Sequence, residues 1–170
     1  MTKEQLQKAL FKKGTRVFAV LDGAATPNLA TQIHRLGVPN YSLFRGDLTP
    51  DIAEVGPYLV DLVPEQPFTE WVLSKHFGKN RCIFAHSPHS LKEMRRHFRS
   101  IFKVYNEDGN PMIFRFYDPR VLRKYLPTCN AGELKAFFGK VDAFFAEDES
   151  AKDLLEFRIE GEDLKQSTVS

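Results

Sequence analysis

The chain has 170 residues, 42% hydrophobic and 27% charged, with 15 Phe and a formal net charge of +2. A chain of this length suits one domain and removes roughly 70% of its unfolded surface from water on folding, and so many phenylalanines exclude a disordered chain. The near-neutral charge gives no reason to expect nucleic acid or an anionic membrane as partner.

Leu6, Leu10 and Phe11 fall near a helical period that Gly14 stops, which predicts a helix over 3–13. Residues 16–21 (RVFAVL) read as a buried strand ending at the turn Asp22-Gly23. Asn28 is placed to cap a helix carrying Leu29, Ile33 and Leu36, with Gly37 as its stop. Residues 41–44 read as a short strand, and 46–57, broken by Gly46, Pro50, Gly56 and Pro57, as mainly loop. A strand over 58–62, a helix over 68–75 with Trp71, and a central strand over 81–85 follow. His86-Ser87-Pro88 leads into a helix over 91–101. Residues 102–105 and 112–116 flank the polar turn 106–110 and form a hairpin. Short helices are predicted over 119–126 and 131–138, the second with Asn130 and Glu133 at capping-box spacing. Residues 141–145 and 154–159 read as terminal strands, and the polar 160–170 as a frayed tail. Strands that alternate with helices and then form a hairpin predict an α/β (mixed α+β) fold, a mixed sheet covered by helices.

The N-terminal MTKEQLQKALFKKG has no continuous apolar run of a signal peptide, and no stretch is long enough to span a bilayer. A soluble cytoplasmic protein, not inserted in a membrane, is the expectation. Cys82 and Cys129 lie far apart without metal-ligand spacing, so free thiols are expected. Neither GxxxxGK[ST] nor GxGxxG occurs.

Three segments could carry chemistry. In Phe114–Arg120 (FRFYDPR), strand alternation sends Phe114 and Phe116 to one face and Arg115 and Tyr117 to the other. Asp118 then stands at a helix N-cap and Pro119 at the first helical position, which makes the segment a strand-to-helix joint. Arg115, Tyr117 and Arg120 are its candidates for partner contact, because Arg and Tyr are enriched at interface anchors. At the end of the central strand, a small hydrolase would use Ser87 as nucleophile, His86 or His89 as base, and Asp118. Ser87 lacks the Gly-x-Ser-x-Gly elbow and Pro88 has no N–H for an oxyanion, so no catalytic residue is assigned. On the helix 91–101, Lys92, Arg95, Arg96 and Arg99 line a face away from Leu91, Met94, Phe98, Ile101 and Phe102. Such a stripe is most often simply a solvated face; as a functional surface it would suit nucleic acid or an acidic protein. The near-neutral total charge and the lack of a nucleic-acid module favour the protein. The cluster Glu147, Asp148, Glu149 is expected to face solvent, and no metal site is assigned to it.

Read in order, Leu21-Asp22-Gly23-Ala24, Ser42-Leu43-Phe44-Arg45-Gly46, Val55-Gly56-Pro57-Tyr58-Leu59-Val60 and Cys82 to Pro88 lead to Phe114–Arg120 and then Phe137-Phe138-Gly139. Over about residues 15–147 this order resembles a bacterial family catalogued as domain of unknown function 4123 (DUF4123), whose studied members are adaptor chaperones of the type VI secretion system. The resemblance implies a cytoplasmic accessory protein without a cofactor. It would bind a toxic effector and help load it onto the valine-glycine-repeat (VgrG) spike without being secreted itself. It implies an adaptor domain over 1–147, split into an α/β lobe of about 1–105 and a smaller, more helical lobe of about 106–147. An acidic and polar segment follows over 148–170. Within the shared motifs, Asp22, Gly23, Gly56, Pro57, Phe116, Asp118 and Pro119 read as structural.

Overall fold

The strands with unbroken apolar runs need cover on both faces, and the fold supplies it. The computed structural model describes residues 1–12 and 14–169. Its sheet comprises β1 (Arg16–Asp22), β2 (Asn40–Ser42), β3 (Pro57–Leu62), β4 (Cys82–Ser87), β7 (Ala143–Glu147), β8 (Leu154–Glu160) and β9 (Asp163–Val169). The helices are α1 (Lys3–Leu10), α2 (Leu29–Arg35), α3 (Pro50–Val55), α4 (Pro67–Lys75), α5 (Leu91–Ile101), α6 (Pro119–Tyr125) and α7 (Ala131–Phe138). The strand order is β2-β3-β1-β4-β7-β8-β9, with β5 (Lys103–Tyr105) and β6 (Pro111–Ile113) forming a separate hairpin. The expected mixed α/β class is observed, but the sheet is not mixed in strand direction: each pairing within the large sheet is antiparallel.

Strand alternation divides the core in two. Val17, Ala19 and Leu21 of β1, with Cys82 and Phe84 of β4, meet Leu6 and Leu10 of α1, Leu29 and Ile33 of α2, and Phe68 and Val72 of α4. Phe18 and Val20, with Ile83 and Ala85, meet Met94 and Phe98 of α5, Leu122 of α6, and Leu134 and Phe137 of α7. Antiparallel sheets often leave one face wet; this one buries both over its centre, which is why β1 and β4 read as continuous apolar runs rather than alternating ones.

Several expectations need correction. Asn28 lies in the left-handed region (φ 61°), which Asn tolerates, and makes no side-chain cap bond to α2. Part of the expected loop 46–57 is α3, begun by Pro50 and burying none of its side chains, so no apolar period announces it. The hairpin strands end at Ile113, so residues 114–117 are irregular chain rather than strand. The polar tail is not frayed over 163–169: β9 pairs with β8 from Glu160↔Asp163 to Leu154↔Val169. As the last strand of the sheet it has an exposed, polar outer side, and that polarity disguised it. The helix expected over 3–13 ends at Leu10; Lys13 and the last tail residue, Ser170, lie outside the described residues. The expected lobe boundary near 105 falls inside the β5–β6 hairpin, and β7 beyond it pairs with β4, so the two expected lobes share one sheet.

Candidate partner-binding surface

The irregular run after β6 is held by charge. Asp118 caps α6: its Oδ1 accepts from the Arg120 N–H at 2.9 Å. The same carboxylate takes both arms of the Arg120 guanidinium, at 3.0 and 2.7 Å. Burial works to raise the Asp118 pKa, but the Arg120 hydrogen bonds and charge outweigh it and hold the carboxyl below its ordinary value. Arg115 Nη2 donates to Asp22 Oδ2 at 2.6 Å and lies 3.8 Å from Asp118. The bond to Asp22 raises the Arg115 pKa above its ordinary value. Asp22 Oδ1 in turn accepts from the Ala24 and Ala25 N–H groups at 3.0 and 3.4 Å. The end of β1 is thereby tied to the start of α6 across most of the chain.

Next to this seam, the Gly23 N–H donates to the Gly56 carbonyl at 3.2 Å. A Cβ on Gly23 would collide with the Gly56 carbonyl oxygen and stand 2.7 Å from that of Glu54, and one on Gly56 would stand 2.9 Å from the Phe44 ring. Pro57 begins β3 immediately afterwards. These glycines are required by close approach of backbone and ring, not by an unusual φ.

Tyr117 is not the surface residue that strand alternation implied. Without a strand over 114–117 the alternation lapses, and Tyr117 is buried with Phe116, its ring 6.4 Å from that of Phe102. Phe116 stacks on Phe98 at 5.5 Å. Pro119 is buried at the first position of α6. Arg115 and Arg120 remain half exposed or more, yet both are engaged by carboxylates. This seam is therefore built as a joint.

The residues weighed for hydrolysis are tied to backbone or to charged side chains. Ser87 is fully buried; its Oγ donates to the Lys140 carbonyl at 2.6 Å and accepts from the His89 N–H at 3.1 Å. The adjacent His86 points toward α1, where its Nε2 bonds the Leu10 carbonyl at 2.6 Å, and burial holds its pKa down. His89 Nδ1 meets Glu93 at 3.2 Å. Asp118 is occupied by Arg120, so these four groups are not assembled around Ser87.

The basic face of α5 is different. Arg45 from the loop after β2 joins Lys92, Arg95, Arg96 and Arg99 around a shallow cleft of about 300 Å³. Among the described residues no carboxylate lies within ion-pairing distance of these five cations. Glu93, on the same helix, is taken by the capping box with Ser90 and by His89 and Lys140. The Ser90 N–H first, with the Ser90 hydroxyl, His89 and Lys140, lowers its pKa to about 2. Arg99 donates to the Ser42 and Phe44 carbonyls at 2.8 and 2.6 Å and so anchors the loop that carries Arg45. Its own pKa is lowered by burial and then by the charges of Arg95 and Arg45. The Arg95 guanidinium lies 4.1 Å above the Tyr41 ring.

A groove of about 560 Å³ adjoins that cleft, shares Arg45 and Arg99 with it, and continues to the β5–β6 hairpin. Its hairpin wall exposes Tyr105 (64%), Met112 (48%) and Ile113 (52%), among the most exposed large apolar side chains of the protein. Sequence reasoning found four of the five cations from their helical spacing. It missed Arg45, which sits in a loop with no period, and the apolar wall, because the hairpin residues read as ordinary strand residues. It also misplaced Glu147, which is buried (2%) and accepts the Gly78, Lys79 and Asn80 N–H groups at 2.5, 3.1 and 2.5 Å.

No helix among the described residues is long and apolar enough to cross a membrane. No curated protein and no solved structure matches the chain. One family does, described as a domain of unknown function (DUF4123), and it matches residues 17–136, from within β1 to within α7. The match spans well over half of the sequence and takes in both the Asp22–Arg115 seam and α5, and so the chain belongs to the DUF4123 family.

Proposed function

We propose that this protein is a cytoplasmic adaptor that binds a type VI secretion effector and helps load it onto the VgrG spike, without being secreted or acting as an enzyme. The observation that carries the reading is the α5 face with the adjoining Arg45, where five cations that have no carboxylate partner among the described residues border exposed apolar side chains. Uncompensated charge next to apolar surface is suited to a protein partner that supplies both complements. The chain belongs to the DUF4123 family, and the resemblance drawn from its ordered motifs, which implies an adaptor chaperone, supports the reading. The residues weighed for catalysis are committed to backbone hydrogen bonds or ion pairs, which leaves binding as the better-supported role. The direct test is co-expression with the product of the neighbouring gene and with a spike protein. The adaptor reading expects at least one of them to co-purify at low and moderate salt; recovery of the chain alone at both contradicts it.

A further inference from the structure

We propose that the groove between α5 and the β5–β6 hairpin docks an acidic segment of the partner protein, with apolar side chains on Tyr105, Met112 and Ile113 and carboxylates on Arg45, Lys92, Arg95 and Arg96. This rests on the adaptor reading and adds the chemistry of the segment that is held.

The occupant follows from charge complementarity and from what borders the charge. Five cations around one cleft, without a carboxylate in pairing distance among the described residues, repel one another until an anion arrives. The groove beside them has an aliphatic and aromatic wall, which offers nothing to a phosphodiester backbone but buries Leu, Ile or Phe from a peptide. A net charge of +2 also gives no wider positive field that would hold a nucleic acid along its length. The two halves are mechanically linked: Arg99 bonds the carbonyls of residues 42 and 44 and thereby positions Arg45 where cleft and groove meet. Arg99 is a positioning residue, while Lys92 and Arg96 are exposed and make no ion pair among the described residues.

A fluorescent peptide of alternating Glu and Leu, titrated with the full chain at low and moderate salt, tests the proposal. Comparison probes are a Glu/Ser peptide, a Lys/Leu peptide, oligothymidylate and vesicles containing phosphatidylserine. The Glu/Leu peptide is expected to bind about tenfold or more tighter than either other peptide, and more weakly as salt rises. Two variants at exposed positions, K92E/R96E and M112S/I113S, are each expected to weaken it by about tenfold while melting as the wild type does. Equal binding of Glu/Ser and Glu/Leu, tightest binding of oligothymidylate or vesicles, or unchanged affinity in both variants overturns the proposal. Self-association abolished by K92E/R96E also overturns it, since a second copy would then be the occupant. If the neighbouring gene's product co-purifies but no peptide binds, the docking site fails and the adaptor reading stands. If the peptide binds and neither that product nor a spike protein co-purifies, the reverse holds.

Discussion

Asp22 is nearly sealed from water, and its ion-pair partner among the described residues is the Arg115 guanidinium, far along the sequence. Arg115→Ala would leave the Ala24 and Ala25 N–H groups as its remaining partners, at a cost of about 2 kcal/mol in unfolding free energy. The half-exposed arginine lets some water compensate, which keeps the loss below that of a fully buried broken pair. Asp118→Ala should cost about 1 kcal/mol through the cap, while its bridge to the exposed Arg120 adds little. Gly23→Ala, which forces a methyl against two carbonyls, should cost about 1–3 kcal/mol. Urea unfolding of the three variants checks these values, and a wild-type midpoint for Arg115→Ala would show that the seam carries no stability. His76 offers a pH test. Burial first, and then the charges of Arg81 and Lys79, lower its pKa to about 4, against an ordinary 6.5. The unfolded chain therefore binds a proton that the folded chain refuses between those values. Its contribution is full above pH 6.5 and lost as pH falls toward about 4. His76→Phe, which keeps an aromatic ring against Trp71, should make the acid loss of stability shallower in urea titrations repeated across this range. An unchanged slope would remove His76 from the account.

At the scale of elements, α5 was the most legible part of the molecule. Its limits, its buried Met94 and Phe98 and its basic stripe follow from a 3.6-residue period, while its N-cap is Ser90, a residue the sequence reading did not single out. The Asp118-Pro119 start of α6 was legible for a similar reason, since capping chemistry is local. Features decided by distant partners were hidden. Nothing near Glu147 says that three N–H groups of residues 78–80 will surround it, so it reads as one more acid in a surface run. Glu147→Gln loses the charge and one acceptor oxygen, and should cost about 1–3 kcal/mol. Tyr117 was misassigned because strand alternation was extended past Ile113, where the ladder stops. The edge strand β9 was missed because an exposed edge selects polar residues, the same signal a frayed tail gives. The candidate site was half legible: the stripe on α5 was readable, while the convergence of Arg45 and the hairpin upon it is a product of tertiary packing.

Across the whole molecule, the central strands are covered by α1, α2 and α4 on one face and by α5, α6 and α7 on the other. The first of these layers turns mostly buried apolar side chains to the sheet. The second carries, on the outside of α5, the cations and the adjoining hairpin that no part of the chain covers among the described residues. Because the stripe and the hairpin wall lie outside the core, charge reversal at Lys92 and Arg96 should leave stability within about 0.5 kcal/mol of wild type. If the proposed surface binds the partner, binding and folding are separable, which makes the decisive measurement a comparison of two chains. Wild type and K92E/R96E are each co-expressed with the neighbouring gene's product and a spike protein, then passed over a sizing column at low and moderate salt. The account predicts a complex for wild type and its loss or marked weakening for the variant, whose melting is unchanged. A wild-type chain that elutes alone at both salt concentrations would contradict it.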